Sequence, residues 1–320
     1  MTAVLDAYRE VALDLPSRRE GKVRVSYALS GGRRLFVTTD RLSAFDRVLA
    51  AVPYKGQVLN QLSWWWFETT RDIVANHAIS LPDPNALVGI EAAPLPVEVI
   101  VRGRITGVTS TSLWRMYSQG ERLLYGHRLP DGLRKNEALP APLITPTTKA
   151  EIGDHDAPLT CDEVVSLGLV EPGLWARVQD AALALFERGQ QVAGAAGVVL
   201  ADTKYEFGLG PDGTLLLIDE VHTPDSSRFW VADGLDERVE AGEEPESLDK
   251  EVVRRALADI GFRGDGEAPV LPAEVWEATT ARYIDAYERI SGATFVPASY
   301  PVGPRLAANI DAMLASEVTA

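Results

Sequence analysis

Cysteine, histidine and methionine are all scarce in this chain: its 320 residues include one cysteine, four histidines and three methionines. A single cysteine, Cys161, excludes an intrachain disulfide and a cysteine-based metal cluster, and it fits a reducing compartment. No apolar run approaches the roughly 18 residues that a membrane-spanning helix needs. The best candidate, residues 192–201, is short and holds Gly194 and Gly197. The opening residues MTAVLDAYRE have no basic stretch followed by an apolar one, so no secretory signal is expected and the expected location is the cytoplasm, with no membrane partner. Positive charge is in deficit as well: 31 Lys and Arg stand against 46 Asp and Glu, a formal net charge of −15. That balance excludes a nucleic-acid binder whose affinity rests on phosphate neutralisation. Small phosphorylated ligands remain open to an acidic protein, provided that its cations gather locally.

What is present describes an ordinary globular chain. Hydrophobic residues make up 46% and charged residues 24%, too apolar for disorder. The length allows two domains or one large two-lobed unit. There is no internal repeat and no low-complexity tract; the oligomeric state is left open.

Period-two alternation from Gly21 to Leu29 predicts a strand with Lys22 and Arg24 on one face, and Gly31-Gly32 turns it into a returning strand at 34–39. A polar loop is expected at 40–46 and a helix from about 57 to 77, whose Trp64, Trp65 and Trp66 are core residues. Four prolines between Pro82 and Pro96 predict a hinge, and hence an N-terminal lobe over 1–96 and a C-terminal lobe over 97–320. The strand at 97–101 continues so that Arg102 and Arg104 share a face before Gly107. Residues 118–162 are polar and rich in proline, a long loop expected to close over a site. A core-facing helix is predicted at 174–192, a second hairpin at 198–207 and 214–221 about Gly210–Gly213, and further helices near 248–260, 273–290 and 303–316.

The second hairpin carries the chemistry. Alternation puts Asp202, Lys204 and Glu206 on one face and Thr203, Tyr205 and Phe207 on the other. A turn centred near Asp212 sets Glu206 opposite Asp219 to within one residue, and like charges across a sheet need neutralising. A divalent cation would do so, as two carboxylates plus phosphate oxygens suit Mg²⁺; pairing of each carboxylate with a neighbouring Lys or Arg would do so equally. Just beyond lies Arg228, a planar fork suited to phosphate or carboxylate.

Six blocks in order, GKVR at 21–24, TDRLSAFD at 39–46, VRGRITG at 101–107, TPTTKAEIGDHD at 145–156, DTKYEFGL at 202–209 and DEVHTPDSSRFW at 219–230, resemble the SAICAR synthetase family. The resemblance implies a two-lobed α+β fold, with an antiparallel N-terminal lobe and a C-terminal lobe related to ATP-grasp and kinase-like folds. It implies a ligase that uses ATP and Mg²⁺ to join L-aspartate to the carboxylate of 5-aminoimidazole ribonucleotide carboxylate (CAIR), releasing ADP and phosphate through an acyl phosphate. Residue by residue, it implies that Lys22 and Arg24 contact ATP phosphates and that Glu206 and Asp219 hold Mg²⁺. Arg102, Asp202, Lys204 and Arg228 would form the CAIR site, the arginines on its phosphate, and Lys149, His155 and Asp156 would line the reaction centre and the aspartate pocket. His155 and Asp156 are both candidates for the general base that the attacking amine needs. The chain departs from the family at one point: Val108 follows Gly107 where many members have a serine. The phosphate-binding hydroxyl then falls to Ser110, Thr111 or Ser112, of which Ser112 is chosen. A small-molecule kinase would show a similar cleft, and a silent homologue would have lost at least one of Lys22, Asp202, Lys204, Glu206, Asp219 and Arg228; all six are present.

Overall fold

A computed structural model of the chain describes residues 7–318 except 45–46, 110, 150–155, 263–268 and 270. The first sheet is antiparallel, in the order β1-β2-β3-β7-β6, from β1 (Arg19–Glu20), β2 (Arg24–Leu29), β3 (Arg33–Thr38), β6 (Ala78–Asp83) and β7 (Ala86–Ile90). Between β3 and β6 run β4 (Arg41–Ala44), β5 (Arg47–Ala51) and helix α1 (Lys55–Thr69). The second sheet is built on β8 (Ala93–Arg104), flanked by β11 (Ala138–Thr148) on one side and β12 (Val198–Leu209) on the other. The far edge of β12 is shared: β14 (Ser227–Val231) pairs with its first half and β13 (Leu215–Ile218) with its second. Short elements α2 (Leu113–Ser118), β9 (Leu123–Leu124), β10 (His127–Arg128) and α3 (Cys161–Ser166) lie around β11 in sequence; α4 (Pro172–Ala195) precedes β12, and α5 (Leu235–Ala241), α6 (Glu251–Asp259), α7 (Ala273–Ser291) and α8 (Val302–Val318) follow β14. Among the described residues no helix is long and apolar enough to cross a membrane.

Helix α4 begins where the sequence provides a start signal: Glu171 accepts a hydrogen bond from Leu174 N at 2.9 Å, and Pro172 occupies the first turn, where its missing N–H costs nothing. Its buried stripe of Trp175, Val178, Ala182, Leu185 and Phe186 joins Trp66 and Phe67 of α1 in one core over the second sheet. Thr203, Tyr205 and Phe207 point into that core with at most 1% exposure. Burying such rings is worth about 1.5–3 kcal/mol each. A one-residue slip of β12 would bury Lys204 and Glu206 there instead and expose both rings, so the core face is what holds Asp202, Lys204 and Glu206 toward the cleft.

Several elements differ from the sequence-based expectation. The predicted hinge at 82–96 is the end of β6, the strand β7 and the start of β8; the predicted loop at 118–162 contains the eleven-residue β11; the predicted loop at 40–46 holds β4, which pairs with β5. In each sheet the proline-bearing outer strands, β6 and β11, are edge strands, where a residue without an N–H loses no ladder bond. The register of β11 breaks between Ala138 and Leu143, around Pro140 and Pro142. Helix α1 ends at Thr69 rather than near 77, and the Thr69 and Thr70 hydroxyls bond back to the Trp65 and Trp66 carbonyls at 2.8 and 2.7 Å. A division at 96/97 falls inside β8, whose Ala93 and Pro94 pair with Leu209 and Gly208. The last helix returns to the first sheet: Val302, Leu306 and Ile310 of α8 pack on Val25, Tyr27, Leu35 and Val37.

Candidate active site

Because β13 and β14 share one edge of β12, the segment from Asp219 to Ser226 must cross the gap between them. It does so beside Lys204, whose backbone N–H donates to Ser226 O at 2.9 Å. The turn is held internally by Thr223, whose Oγ1 accepts from the N–H groups of Asp225 and Ser226, both at 3.2 Å, and donates to Glu220 Oε2 at 2.9 Å. The crossing puts Asp219, Asp225 and Arg228 next to the charged face of β12.

Asp202 stands directly opposite Arg102 on β8 and Arg228 on β14. Its Oδ2 accepts from Arg228 NH1 and, at 3.4 Å, from Arg102 NH1. Burial opposes ionisation of both guanidiniums: it lowers Arg102, while at Arg228 the carboxylates of Asp202, Glu251 and Asp249 outweigh it and raise the pKa. These three residues line a cavity of about 170 Å³ together with Thr109, Thr111, Ser112, Lys204, Asp225, Lys250 and Arg254. Ser112 and Thr111, two of the three candidate hydroxyls, are therefore on its wall, and Ser110 lies outside the described residues. Gly107, at φ 92, lets this wall close: a Cβ there would collide with Ser112 Oγ and lie 3.2 Å from Arg228 NH2.

A second cavity of about 180 Å³ lies where the two sheets face each other, lined by Ser26, Arg34, Phe36 and His77 from the first and by Lys149, Glu206, Ile218 and Asp219 from the second. Glu206 bonds to Lys204 at 2.5 Å and to Lys149. Although burial pushes its carboxyl up, these two ammoniums hold it at about 2, so it is ionised at any working pH. The carboxylates of Glu206, Glu98 and Asp219 raise Lys204 against the opposing effect of burial. Asp219 pairs with Arg24, which also reaches Glu220 Oε2 at 2.6 Å.

The register sets Asp219 within one residue of the position opposite Glu206, the expected margin. Glu206 faces Ile218 on β13, with Asp219 one residue beyond, and the like charge directly opposite it is Glu98 on β8. Lys204 lies between the two, 2.8 Å from Glu98 Oε1; burial nevertheless raises the Glu98 carboxyl. The sequence analysis missed Glu98, and its signal was a lone acid inside the apolar run Val97–Val101. It also missed Lys250 and Asp225 as cavity-lining residues. Lys22 is exposed at the start of the β2 hairpin and lines neither cavity, unlike Arg24's pairing partner Asp219. Asp156 lies close enough to Glu98 to raise it; His155 lies outside the described residues.

Among the described residues no group of three or more His, Cys, Asp or Glu is arranged to hold a metal ion. Glu206 and Asp219 do fit a hard cation that brings phosphate oxygens as its remaining ligands: both offer carboxylates to one cavity, and each already holds a positive side chain.

The family model described as SAICAR synthetase matches residues 17–269. A putative phosphoribosylaminoimidazole-succinocarboxamide synthase 2 from Agrobacterium fabrum is 50% identical over 287 residues, covering 89% of this chain and 90% of that one. The chloroplastic phosphoribosylaminoimidazole-succinocarboxamide synthase of Arabidopsis thaliana is 46% identical over 305 residues, covering 94% of this chain and 74% of its own. Among solved structures, the SAICAR synthase of Saccharomyces cerevisiae complexed with SAICAR superposes with a TM-score of 0.77 at 32% identity, over 90% of this chain and 99% of that one. With its charged strand, its crossing turn and its two cavities set on the same two-sheet frame, this chain belongs to the SAICAR synthetase family.

Proposed function

We propose that the two cavities along β12 are the two halves of one ligase centre, which joins L-aspartate to the carboxylate of CAIR at the expense of ATP. The observation that carries this is the position of Lys204. Its side chain lines the 170 Å³ cavity, and its ammonium bonds Glu206 on the wall of the 180 Å³ one. Asp202 and Glu206 are four residues apart on an extended strand, a span of roughly 13 Å. Two substrates filling the two cavities would thus meet at Lys204.

CAIR occupies the first cavity, its phosphate facing Arg102, Arg228 and the Ser112 hydroxyl. ATP lies in the second, its phosphates toward Arg24, the partner of Asp219 on that wall, with Lys22 outside the cavity at the start of the same hairpin. A carboxylate oxygen of CAIR attacks the γ-phosphorus, the β–γ bridging bond breaks and ADP leaves. The amine of L-aspartate attacks the acyl carbon, the carbon–oxygen bond to phosphate breaks and inorganic phosphate leaves. The acyl phosphate is needed because an oxide leaving group is too poor for direct amide formation. Charge builds on the transferring phosphoryl group, and Lys204 is fixed beside it by Glu98 and Glu206, so no reorganisation is required as the charge develops. Lys149 sits across Glu206 from Lys204 and closes the same site. The proton of the attacking amine passes to a base in the 155–156 segment, Asp156 or His155. Glu206 and Asp219 would hold Mg²⁺, which when bound neutralises phosphate charge.

The test is ADP release by the purified protein with Mg²⁺, ATP, CAIR and L-aspartate, omitting each in turn. Release that requires both CAIR and aspartate is expected. Release with a hydroxyl acceptor in place of aspartate, or none with the full mixture, would overturn the reading.

A further inference from the structure

Among the described cations on the wall of the 170 Å³ cavity, one lysine makes no direct bond. Each carboxylate on the wall is already engaged. Asp202 is held by Arg228 and Arg102. Asp225 gives Oδ2 to the Lys55 ammonium at 2.7 Å and Oδ1 to the Tyr283 hydroxyl at 2.6 Å. Asp249 accepts from Phe229 N at 3.1 Å and Glu251 N at 2.7 Å, two backbone bonds made by the strand and helix that flank it. The cations are engaged in turn: Lys204 with Glu98 and Glu206, and Arg254 with Glu251 at 3.1 Å. Lys250 alone among the cationic side chains on this wall makes neither a hydrogen bond nor an ion pair with any described residue.

Lys250 is half-buried on this wall and open to a ligand entering the cavity. Burial lowers its pKa; Asp225 and, more weakly, Glu220 oppose this, while Arg254 and Lys55 add to it. The carboxylate that attracts it most, Asp225, is already bonded by Lys55 and Tyr283. The same wall carries Thr109 and Ser112, whose hydroxyls lie 2.7 Å apart, share one hydrogen bond and leave one O–H to donate to a phosphate oxygen. The two arginines here share their forks with Asp202, whereas Lys250 has all three N–H bonds to give.

We propose that Lys250 is a binding residue for the phosphomonoester of the ribonucleotide substrate, contributing a positive charge that makes no direct bond to a described residue. This rests on the reading of the first cavity as the ribonucleotide site, but its test can be made without turnover. Ribose 5-phosphate serves as the calorimetric probe, with ribose as its uncharged control, on wild type, Lys250→Met and Lys250→Gln. Binding of ribose 5-phosphate is expected to weaken about 10- to 100-fold in both variants, the loss of one charge-assisted hydrogen-bonded contact. Lys250→Arg should retain most of it. In steady-state assays KM for CAIR should rise by a similar factor, while KM for ATP stays within about twofold.

Unchanged ribose 5-phosphate binding in Lys250→Met and Lys250→Gln would overturn the inference. So would an equal loss of ATP binding, which would mark a general distortion of the site. If the protein binds ribose 5-phosphate through Lys250 yet releases no ADP with CAIR and aspartate, the ligase reading fails and the phosphate site stands. If it turns over CAIR but neither variant alters that KM, the ligase reading stands and this inference fails.

Discussion

Lys55 opens helix α1 and is fully buried, while its partner Asp225, 170 positions away in the crossing turn, is nearly so; their charged atoms are 2.7 Å apart. Removing one member of a buried pair leaves the other charge without water or counter-ion, a cost of about 3–5 kcal/mol. Lys55→Met should fall near the lower end, because Tyr283 still bonds Asp225 at 2.6 Å and Lys250 still attracts it. With a urea m-value of about 3 kcal/mol/M for a chain of this size, about 3 kcal/mol moves the midpoint by about 1 M, readable from the fluorescence of seven tryptophans. The informative variant is the double one. In Lys55→Met with Asp225→Asn no charge is stranded, so at least half of the single-variant loss should return. Additivity of the two single effects to within about 0.5 kcal/mol would refute the pairing as an energetic unit. The sign of the pH dependence follows from Asp225. Burial acts to raise its carboxyl, but Lys55 and Lys250 hold it well below the usual carboxylate range. Its contribution to stability is thus complete above the unfolded pKa of about 3.9 and is lost as pH falls toward the folded value. The acid-unfolding curve of Asp225→Asn should lack that component; an acid limb with the wild-type slope would contradict the assignment.

Three further outcomes follow from the cavities. Arg228→Ala should raise KM for CAIR about 10- to 100-fold with little change for ATP, since Arg228 lines only the first of the two cavities; equal effects on both substrates would refute that role. Asp219→Asn should abolish Mg²⁺-dependent turnover without unfolding, because asparagine tolerates the φ of 69 there and Arg24 keeps Glu220 at 2.6 Å; near-wild-type activity would remove Asp219 from the metal site. Gly107→Ala adds both a strained positive φ and a collision with Ser112 Oγ, so it should cost about 1–3 kcal/mol and weaken CAIR more than ATP, measured by urea denaturation and by the two KM values. A variant indistinguishable from wild type would show that the wall does not depend on this close approach.

The strands and helices with strong local patterns were legible from residue order alone. Alternation along VVLADTKYEFGL put Asp202, Lys204 and Glu206 on one face because period two is a property of the backbone itself, and the six blocks pointed to the family and its chemistry. The apolar spacing of 174–192 located α4 almost to its ends, Pro172 and Ala195, because a wide stripe facing a core has one periodicity. Other features depend on which strand pairs with which. Prolines marked 82–96 as a hinge and 118–162 as a loop, yet Pro82 lies in edge strand β6 and Pro140, Pro142 and Pro146 in edge strand β11, where they are tolerated, while Pro94 and Pro96 lie at the start of the inner strand β8. The partner of Glu206 also depends on register: counting back from the turn suggests Asp219, whereas the neighbour directly opposite is Glu98, supplied by a strand more than 100 residues earlier. Lys55 and Asp225 are unremarkable in sequence and acquire meaning only when α1 and the crossing turn are packed together. Local order thus determined which side chains face the site. Long-range hydrogen bonding and burial decided which charges meet there, and which cation on the first cavity's wall, Lys250, makes no direct bond to a described residue.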